Sequence, residues 1–156
     1  MLKFADSRVM NFTAFQLYCM VLDIEKYPEF VPWCSNAKIL LKERQEIEAE
    51  LGIDFGIYSK SYISRIIHGI SGEDQYYISI HQKEGPFEYM NTNWFFTKQE
   101  KFSTLVAFEM EFQLKSQFIE KILSAVFDNA ANSMIVAFEK RAGEIYGKSE
   151  SIAQAK

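Results

Sequence analysis

Residues 105–138 read LVAFEMEFQLKSQFIEKILSAVFDNAANSMIVAF, and the hydrophobic period changes inside this stretch. Up to Leu114, apolar residues alternate with polar or small ones, which is typical of a strand with one buried face. From Gln117 to about Tyr146 the apolar residues follow helical spacing, and Ser116 is the predicted N-cap. At 1.5 Å per residue, such a helix would be roughly 40 Å long and would cross a whole sheet.

The chain before this stretch has the period of two that is typical of strands. Residues 2–11 predict a first strand, and Thr13 is the predicted N-cap of a short helix over Ala14–Leu22. Six more strands joined by short turns should form an antiparallel meander. They are predicted on either side of a polar turn at 43–45 and over 58–68, 75–83, 87–98 and 105–114. This order predicts an α+β fold in which a curved antiparallel sheet of about seven strands wraps around the long C-terminal helix.

Length and composition are those of one globular domain. The chain has 156 residues, of which 48% are hydrophobic and 15% aromatic, and it contains no internal repeat or low-complexity linker. We expect a single domain over residues 1–147 and a flexible C-terminal tail over 148–156. No apolar run is long enough for a membrane span, and the N-terminus resembles neither a signal peptide nor an Arg-rich presequence. A cytosolic protein is therefore expected.

The formal net charge of -4 argues against a broad nucleic-acid footprint, because phosphate binding usually requires a basic surplus. A small basic patch stays open, but no DNA partner is expected.

Signals for catalysis or metal binding are weak. His68 and His81 lie in separate predicted strands, and no His or Cys has metal-ligand spacing. The three glutamates within 46–50 alternate with apolar residues, as on a solvated strand face. Cys34 has an unusual setting, but a buried cysteine more often packs as an inert apolar side chain than acts as a nucleophile. We predict no catalytic residue, no metal and no enzyme activity, with a small-molecule cyclase or hydrolase as the alternative.

Residues 23–34, DIEKYPEFVPWC, hold two of the three prolines in a segment that is unusually apolar for a loop. This stretch resembles the signature of the coenzyme Q-binding START-like family, which includes the bacterial ribosome association toxin and lies in the polyketide cyclase/dehydrase superfamily. Further segments resemble the same family in the same order. They are IEAELGIDFG (47–56), EGPFEYMNTNWFF (84–96), FEMEFQLKSQF (108–118) and AFEKRAGEIYG (137–147). One departure is Met90, at a position where the family usually has Leu.

The resemblance implies a helix-grip fold with an apolar cavity beneath the long helix. In mitochondrial members the cavity is associated with ubiquinone binding and respiratory electron transfer, and bacterial members are also described as toxins that block association of the ribosomal subunits. The shared signature does not separate the two activities. The absence of a presequence favours a bacterial cytoplasmic member, with peripheral contact with the inner membrane. The expected ligand is ubiquinone or another isoprenoid lipid, with no covalent cofactor, and the large ribosomal subunit is the alternative partner.

The expected cavity should recognise the quinone head group rather than its tail, since the tail already lies in an apolar bilayer. Tyr27, Trp33 and Trp94 each combine an apolar ring with one hydrogen-bond donor and are the candidates for this contact. Pro28 and Pro32 should stiffen an apolar lid. A pocket of ordinary size, roughly 300–1,000 Å³, would hold the head group and a few isoprene units.

In this hypothesis Phe30, Val31 and Trp33 face the cavity or touch the membrane, and the turn at 85–87 forms the opposing lip. If no cavity exists, the inward-facing aromatic and Met residues are simply core, and the roles of Cys34 and Arg141 stay open. The predicted ligand-binding residues are Tyr27, Phe30, Val31, Pro32, Trp33, Phe87, Met90, Trp94, Phe108, Met110, Phe112, Phe127 and Met134.

Overall fold

The structure is a computed structural model that describes the backbone of residues 1–155 and the side chains of residues 1–147. A flexible tail is predicted over 148–156. The side chains of this stretch, and the whole of Lys156, lie outside the described part. The strands are β1 (Leu2–Met10), β2 (Cys34–Lys42), β3 (Glu46–Asp54), β4 (Ser59–Gly72), β5 (Gln75–Glu84), β6 (Phe87–Glu100) and β7 (Ser103–Leu114). The helices are α1 (Ala14–Leu22), a 3₁₀ helix (Ile24–Glu29), α2 (Gln117–Ser124) and α3 (Phe127–Ala155).

The seven strands form one antiparallel sheet with the order β1-β7-β6-β5-β4-β3-β2. Strands β2 to β7 follow one another as a meander, and β1 pairs with β7 at the far edge, with Leu2 opposite Phe112. The concave face carries the inward residues of each strand and packs against α1 and α3. The predicted α+β fold, with its curved seven-stranded antiparallel sheet and C-terminal helix, is confirmed.

The short helix begins where the sequence predicts. The Thr13 hydroxyl accepts a hydrogen bond from the Gln16 amide at 3.1 Å, and the Gln16 side chain accepts one from the Thr13 amide at 3.0 Å. This capping box satisfies two amides that the first helical turn leaves free. The helix ends at Asp23, and the 3₁₀ helix that follows contains Pro28.

The C-terminal helix differs from the prediction, because it is broken into α2 and α3. The Ser124 hydroxyl donates to the carbonyl oxygen of Lys121 at 2.7 Å, and the Val126 amide bonds to the carbonyl of Leu123, three residues back, at 3.0 Å. A serine side chain that takes a backbone carbonyl competes with the regular helical hydrogen bond. The sequence does not reveal this break, because the helical spacing of apolar residues continues across it.

A buried polar pair lies between α1 and β4. The hydroxyl of Tyr18 is 2.6 Å from Nδ1 of His68, and the Tyr18 ring stacks on Tyr76 with 4.7 Å between ring centroids. Burial, and then the charge of Lys42, lower the pKa of His68 below its ordinary value. His68 is therefore a neutral imidazole at pH 7.

The pKa of His68 predicts a specific acid sensitivity. Because the folded-state pKa lies below the ordinary 6.5, the unfolded chain takes up this proton first as the pH falls. The stabilising contribution is complete above about pH 6.5 and is lost as the pH falls through the folded-state pKa. We expect the free energy of unfolding, measured by urea denaturation at about pH 7.5 and about pH 5.5, to depend less on pH in His68→Gln than in the wild type. His81→Gln is the matched control, since His81 is exposed; equal pH dependence in all three proteins would contradict the assignment.

Candidate ligand-binding site

An apolar cavity of about 70 Å³ lies between the concave face of the sheet and the junction of α2 and α3. It is enclosed by one end of β3, β4, β6 and β7 and by the helical residues that follow them. Its lining residues are Trp33, Ile53, Phe55, Tyr58, Tyr62, Phe87, Met90, Thr92, Met110, Phe112, Leu114, Leu123, Phe127, Ala130, Ala131 and Met134.

About half of the predicted binding residues line this cavity. They are Trp33, Phe87, Met90, Met110, Phe112, Phe127 and Met134. The rings of Phe87 and Phe127 both meet the ring of Phe112 nearly edge to face, with centroids 5.3 Å and 5.1 Å apart. Seven of the sixteen lining residues are aromatic, and Phe87, which follows the 85–86 turn, is one of them.

The other residues of the predicted lid do not line the cavity. The Tyr27 hydroxyl donates to the carbonyl oxygen of Val21, and burial raises the pKa of Tyr27 far above its ordinary value. Val31 is buried, and Pro32 is exposed. Tyr27 therefore attaches the segment to α1.

Phe30 is part of the contact between this segment and α3. Its ring meets that of Phe138 at 88°, with centroids 5.1 Å apart, and the Arg141 guanidinium lies 5.1 Å from the centroid of the Phe30 ring. Arg141 also contacts Glu29 at 3.3 Å. The segment is thus clamped to the C-terminal half of the helical layer, which gives Arg141 a structural role.

Trp94 and Phe108 form a closed aromatic cluster beside the cavity. The centroid of the Trp94 ring is 4.6 Å from that of Phe108 and 5.1 Å from that of Phe138. Trp94 and Phe108 are both at most 3% exposed. They lie on the same strand faces as Met90 and Met110. They are further from the cavity, where α3 packs directly on the sheet. Trp94 and Phe108 are therefore core residues, which is the alternative that the sequence left open for the inward-facing aromatic residues.

The cavity holds two polar residues that the sequence analysis missed, Tyr58 and Tyr62. Both line it, and among the side chains of residues 1–147 neither hydroxyl has a hydrogen-bond partner. Burial raises the pKa of both phenols, so each keeps its proton at neutral pH and can donate. Their sequence signal is their even spacing, with Tyr58 just before β4 and Tyr62 on its inward face, where it pairs with Leu51. The Trp33 indole is a third donor at the cavity.

Cys34 lies close to this wall but does not line it. Its thiol donates to the carbonyl oxygen of Asn36 at 3.4 Å, and burial raises its pKa to about 11. The thiolate, which is the nucleophilic form, is therefore scarce at neutral pH.

Exposed apolar side chains lie close in sequence to the lining residues, and we refer to them as the apolar rim. Ile57 lies in the β3–β4 loop between the lining residues Phe55 and Tyr58, and its side chain is 71% exposed. Phe118, on the outer side of α2, is 73% exposed, and Ile122 and Val126 are also exposed. This apolar rim is formed by different residues from those of the predicted lid.

Within the described residues, no helix combines the length and the apolar composition needed to cross a membrane.

Comparison with known proteins places this geometry in a family. Residues 10–139 match the family model described as polyketide cyclase/dehydrase and lipid transport. The chain is 35% identical, over 93% of its length and 99% of the relative's, to a protein of Rickettsia prowazekii named ribosome association toxin RatA. It is 30% identical, over 96% of its length and 61% of the relative's, to the mitochondrial coenzyme Q-binding protein COQ10 homolog B of Xenopus laevis.

A solved START superfamily protein from Mycobacterium smegmatis has the same fold, with a TM-score of 0.74 over 92% of this chain and 98% of that protein at 16% identity. The relatives thus carry two different functional names on one architecture. The match over most of the length, together with the helix-grip fold, shows that the chain belongs to the polyketide cyclase/dehydrase and lipid transport family.

Proposed function

We propose that the chain binds ubiquinone or a related isoprenoid quinone in the cavity beneath α2 and α3, without catalysing a reaction. The observation that carries this proposal is an aromatic, apolar cavity that holds three donors, Trp33, Tyr58 and Tyr62, without partners in the described part of the chain. A quinone offers the complementary set, a flat apolar ring with two carbonyl acceptors. The relative named as coenzyme Q-binding supports the same choice.

The donors account for selectivity. An isoprenoid tail gains little when it moves from a bilayer into an apolar cavity, so recognition must come from the head group. A hydrogen bond from a phenol to a quinone carbonyl contributes about 0.5–1.5 kcal/mol, which an apolar ligand without an acceptor cannot gain. Tyr58 and Tyr62 replace Tyr27 and Trp94 as the expected head-group contacts.

The cavity must widen to hold this ligand. Its volume of about 70 Å³ is below the roughly 300–1,000 Å³ of ordinary ligand pockets, and an engineered apolar cavity that binds benzene has about 150 Å³. We propose that α2 moves outward, because Leu123 is its only buried side chain and the break at Ser124 separates it from α3.

The exposed apolar rim gives the ligand a route from a membrane. Ile57, Phe118 and Ile122 would enter the bilayer interface, and the cavity would then open directly onto the lipid phase. We propose a protein of the bacterial cytoplasm that contacts the inner membrane peripherally through this rim and delivers quinone to respiratory electron transport.

A quinone titration tests the proposal. Short-chain quinone should quench the fluorescence of Trp33, which lines the cavity, and lipid extracted from the purified protein should contain quinone by mass spectrometry. Tyr58→Phe and Tyr62→Phe should each weaken binding by roughly five- to ten-fold, the value of one hydrogen bond. Tyr77→Phe, a change on the outer face of the sheet, is the matched control and should bind as the wild type does. The proposal is refuted if the purified protein contains no quinone and the titration shows no saturable binding.

A second candidate is binding to the large ribosomal subunit, with a block of subunit joining. The observation that favours it is the 35% identity to a ribosome association toxin across nearly the whole of both chains. Cosedimentation of the protein with purified large subunits, unchanged in Tyr62→Phe, would support this function independently of the cavity.

A further inference from the structure

A second pocket lies on the surface at the opposite end of β4 from the cavity. It has a volume of about 340 Å³ and is lined by Tyr18, Arg44, Gln45, His68, Gly69 and Ile70. We refer to it as the His68 pocket. It is about 20 Å from the cavity along the strand, because six residues at roughly 3.3 Å each separate Tyr62 from His68.

The hydrogen bond between Tyr18 and His68 leaves one imidazole donor free. We assign the Tyr18 hydroxyl as the donor to Nδ1 of His68, 2.6 Å away, because burial raises the pKa of Tyr18 and its hydroxyl has no other partner among the side chains of residues 1–147. A neutral imidazole that accepts at Nδ1 carries its proton on Nε2. Among the side chains of residues 1–147, Nε2 of His68 has no hydrogen-bond partner.

Arg44 supplies a free positive charge at the same pocket. Of the four arginines, Arg8, Arg65 and Arg141 each contact a carboxylate, whereas Arg44 has no ion pair within the described side chains. No Asp or Glu lines the pocket. A guanidinium without a carboxylate partner, next to an imidazole N–H, is a donor set suited to an oxyanion.

The remaining walls favour a ligand with an apolar body. Ile70 is 71% exposed, and with the Tyr18 ring it forms an apolar side of the pocket. Gly69 leaves room for the Gln45 side chain, since an added Cβ would lie 3.0 Å from the Gln45 amide nitrogen. That amide is a further donor at the rim.

We propose that the His68 pocket binds a small organic anion, with a carboxylate or phosphate group held by Arg44, His68 and Gln45 and a planar or apolar body against Ile70. The proposal does not depend on quinone binding, because the two sites share no lining residue.

Titration of the full ¹⁵N-labelled chain with benzoate and with phenyl phosphate tests this site. We expect saturable amide shifts at Arg44, Gln45 and Gly69, with benzyl alcohol as the neutral control that gives none. Binding of only one of the two anions would identify the preferred oxyanion and still support the site.

Two variants locate the anion contact. Arg44→Gln should weaken binding about ten-fold, the value of a charge-assisted hydrogen bond. Lys60→Gln removes the same charge at the other end of β4 and should bind as the wild type does. Shifts that do not saturate, equal shifts with benzyl alcohol, or unchanged affinity in Arg44→Gln would each overturn the proposal.

Discussion

Replacing Trp94 by alanine is expected to lower the free energy of unfolding by about 3–5 kcal/mol, the usual cost of truncating a buried large aromatic side chain. Trp94 is 3% exposed and its ring contacts those of Phe96, Phe108 and Phe138. The truncation removes contacts that join β6, β7 and α3, and the rigid neighbours cannot close the space. Urea denaturation followed by far-UV circular dichroism measures the loss, since the variant lacks one of the two tryptophans.

Phe95→Ala is the matched control for this experiment. Phe95 is the next residue on β6, but its side chain faces outward and is exposed. Its truncation should change the free energy of unfolding by about 0.5 kcal/mol or less, as exposed positions usually do. If Trp94→Ala lowers the free energy of unfolding by less than about 1 kcal/mol, Trp94 is not a core residue and is again a candidate ligand contact.

Ala130→Leu is expected to abolish most quinone binding while the protein stays folded. Ala130 is half-buried on α3 and lines the cavity, so a leucine there would occupy space that the ligand needs. Leucine is a good helix former, and a side chain that fills an existing space adds little strain. We expect at least about a ten-fold loss of affinity, or about 1.4 kcal/mol, in the fluorescence titration.

The control for the cavity-filling variant is Ala125→Leu. Ala125 lies at the end of α2 and is exposed, so the same side chain is added outside the cavity. If both Ala125→Leu and Ala130→Leu bind quinone with wild-type affinity, the quinone does not bind in this cavity.

The order of the elements could be predicted from local sequence because each signal is local. The alternation in β7 and the capping residues around α1 each depend on neighbours within a few positions. The break at Ser124 is also local, but a serine in a helical pattern is common, and only the position of its hydroxyl shows that it competes with the backbone.

The candidate site was harder to predict from the sequence, because the alternation of apolar residues shows which face of a strand is inward but not what that face contacts. Met90 and Trp94 lie on the same face of β6, yet one lines the cavity and the other packs against α3. The difference depends on where the helices cross the sheet, which strand periodicity does not contain. Tyr58 and Tyr62 were missed for a related reason, since the strand pattern does not show whether a tyrosine hydroxyl faces a cavity or the solvent.

The clamp formed by Phe30, Phe138 and Arg141 fixes one end of the helical layer, while the break at Ser124 frees the other. If α2 moves as proposed, the domain has a stiff scaffold and an adaptable portal in the same layer. Redesign for larger or smaller guests belongs in residues 117–131, where changes alter the portal without loosening the scaffold. Apart from Trp33, which lines the cavity, the segment YPEFVPWC is by the same reasoning a poor place to change what the protein accepts.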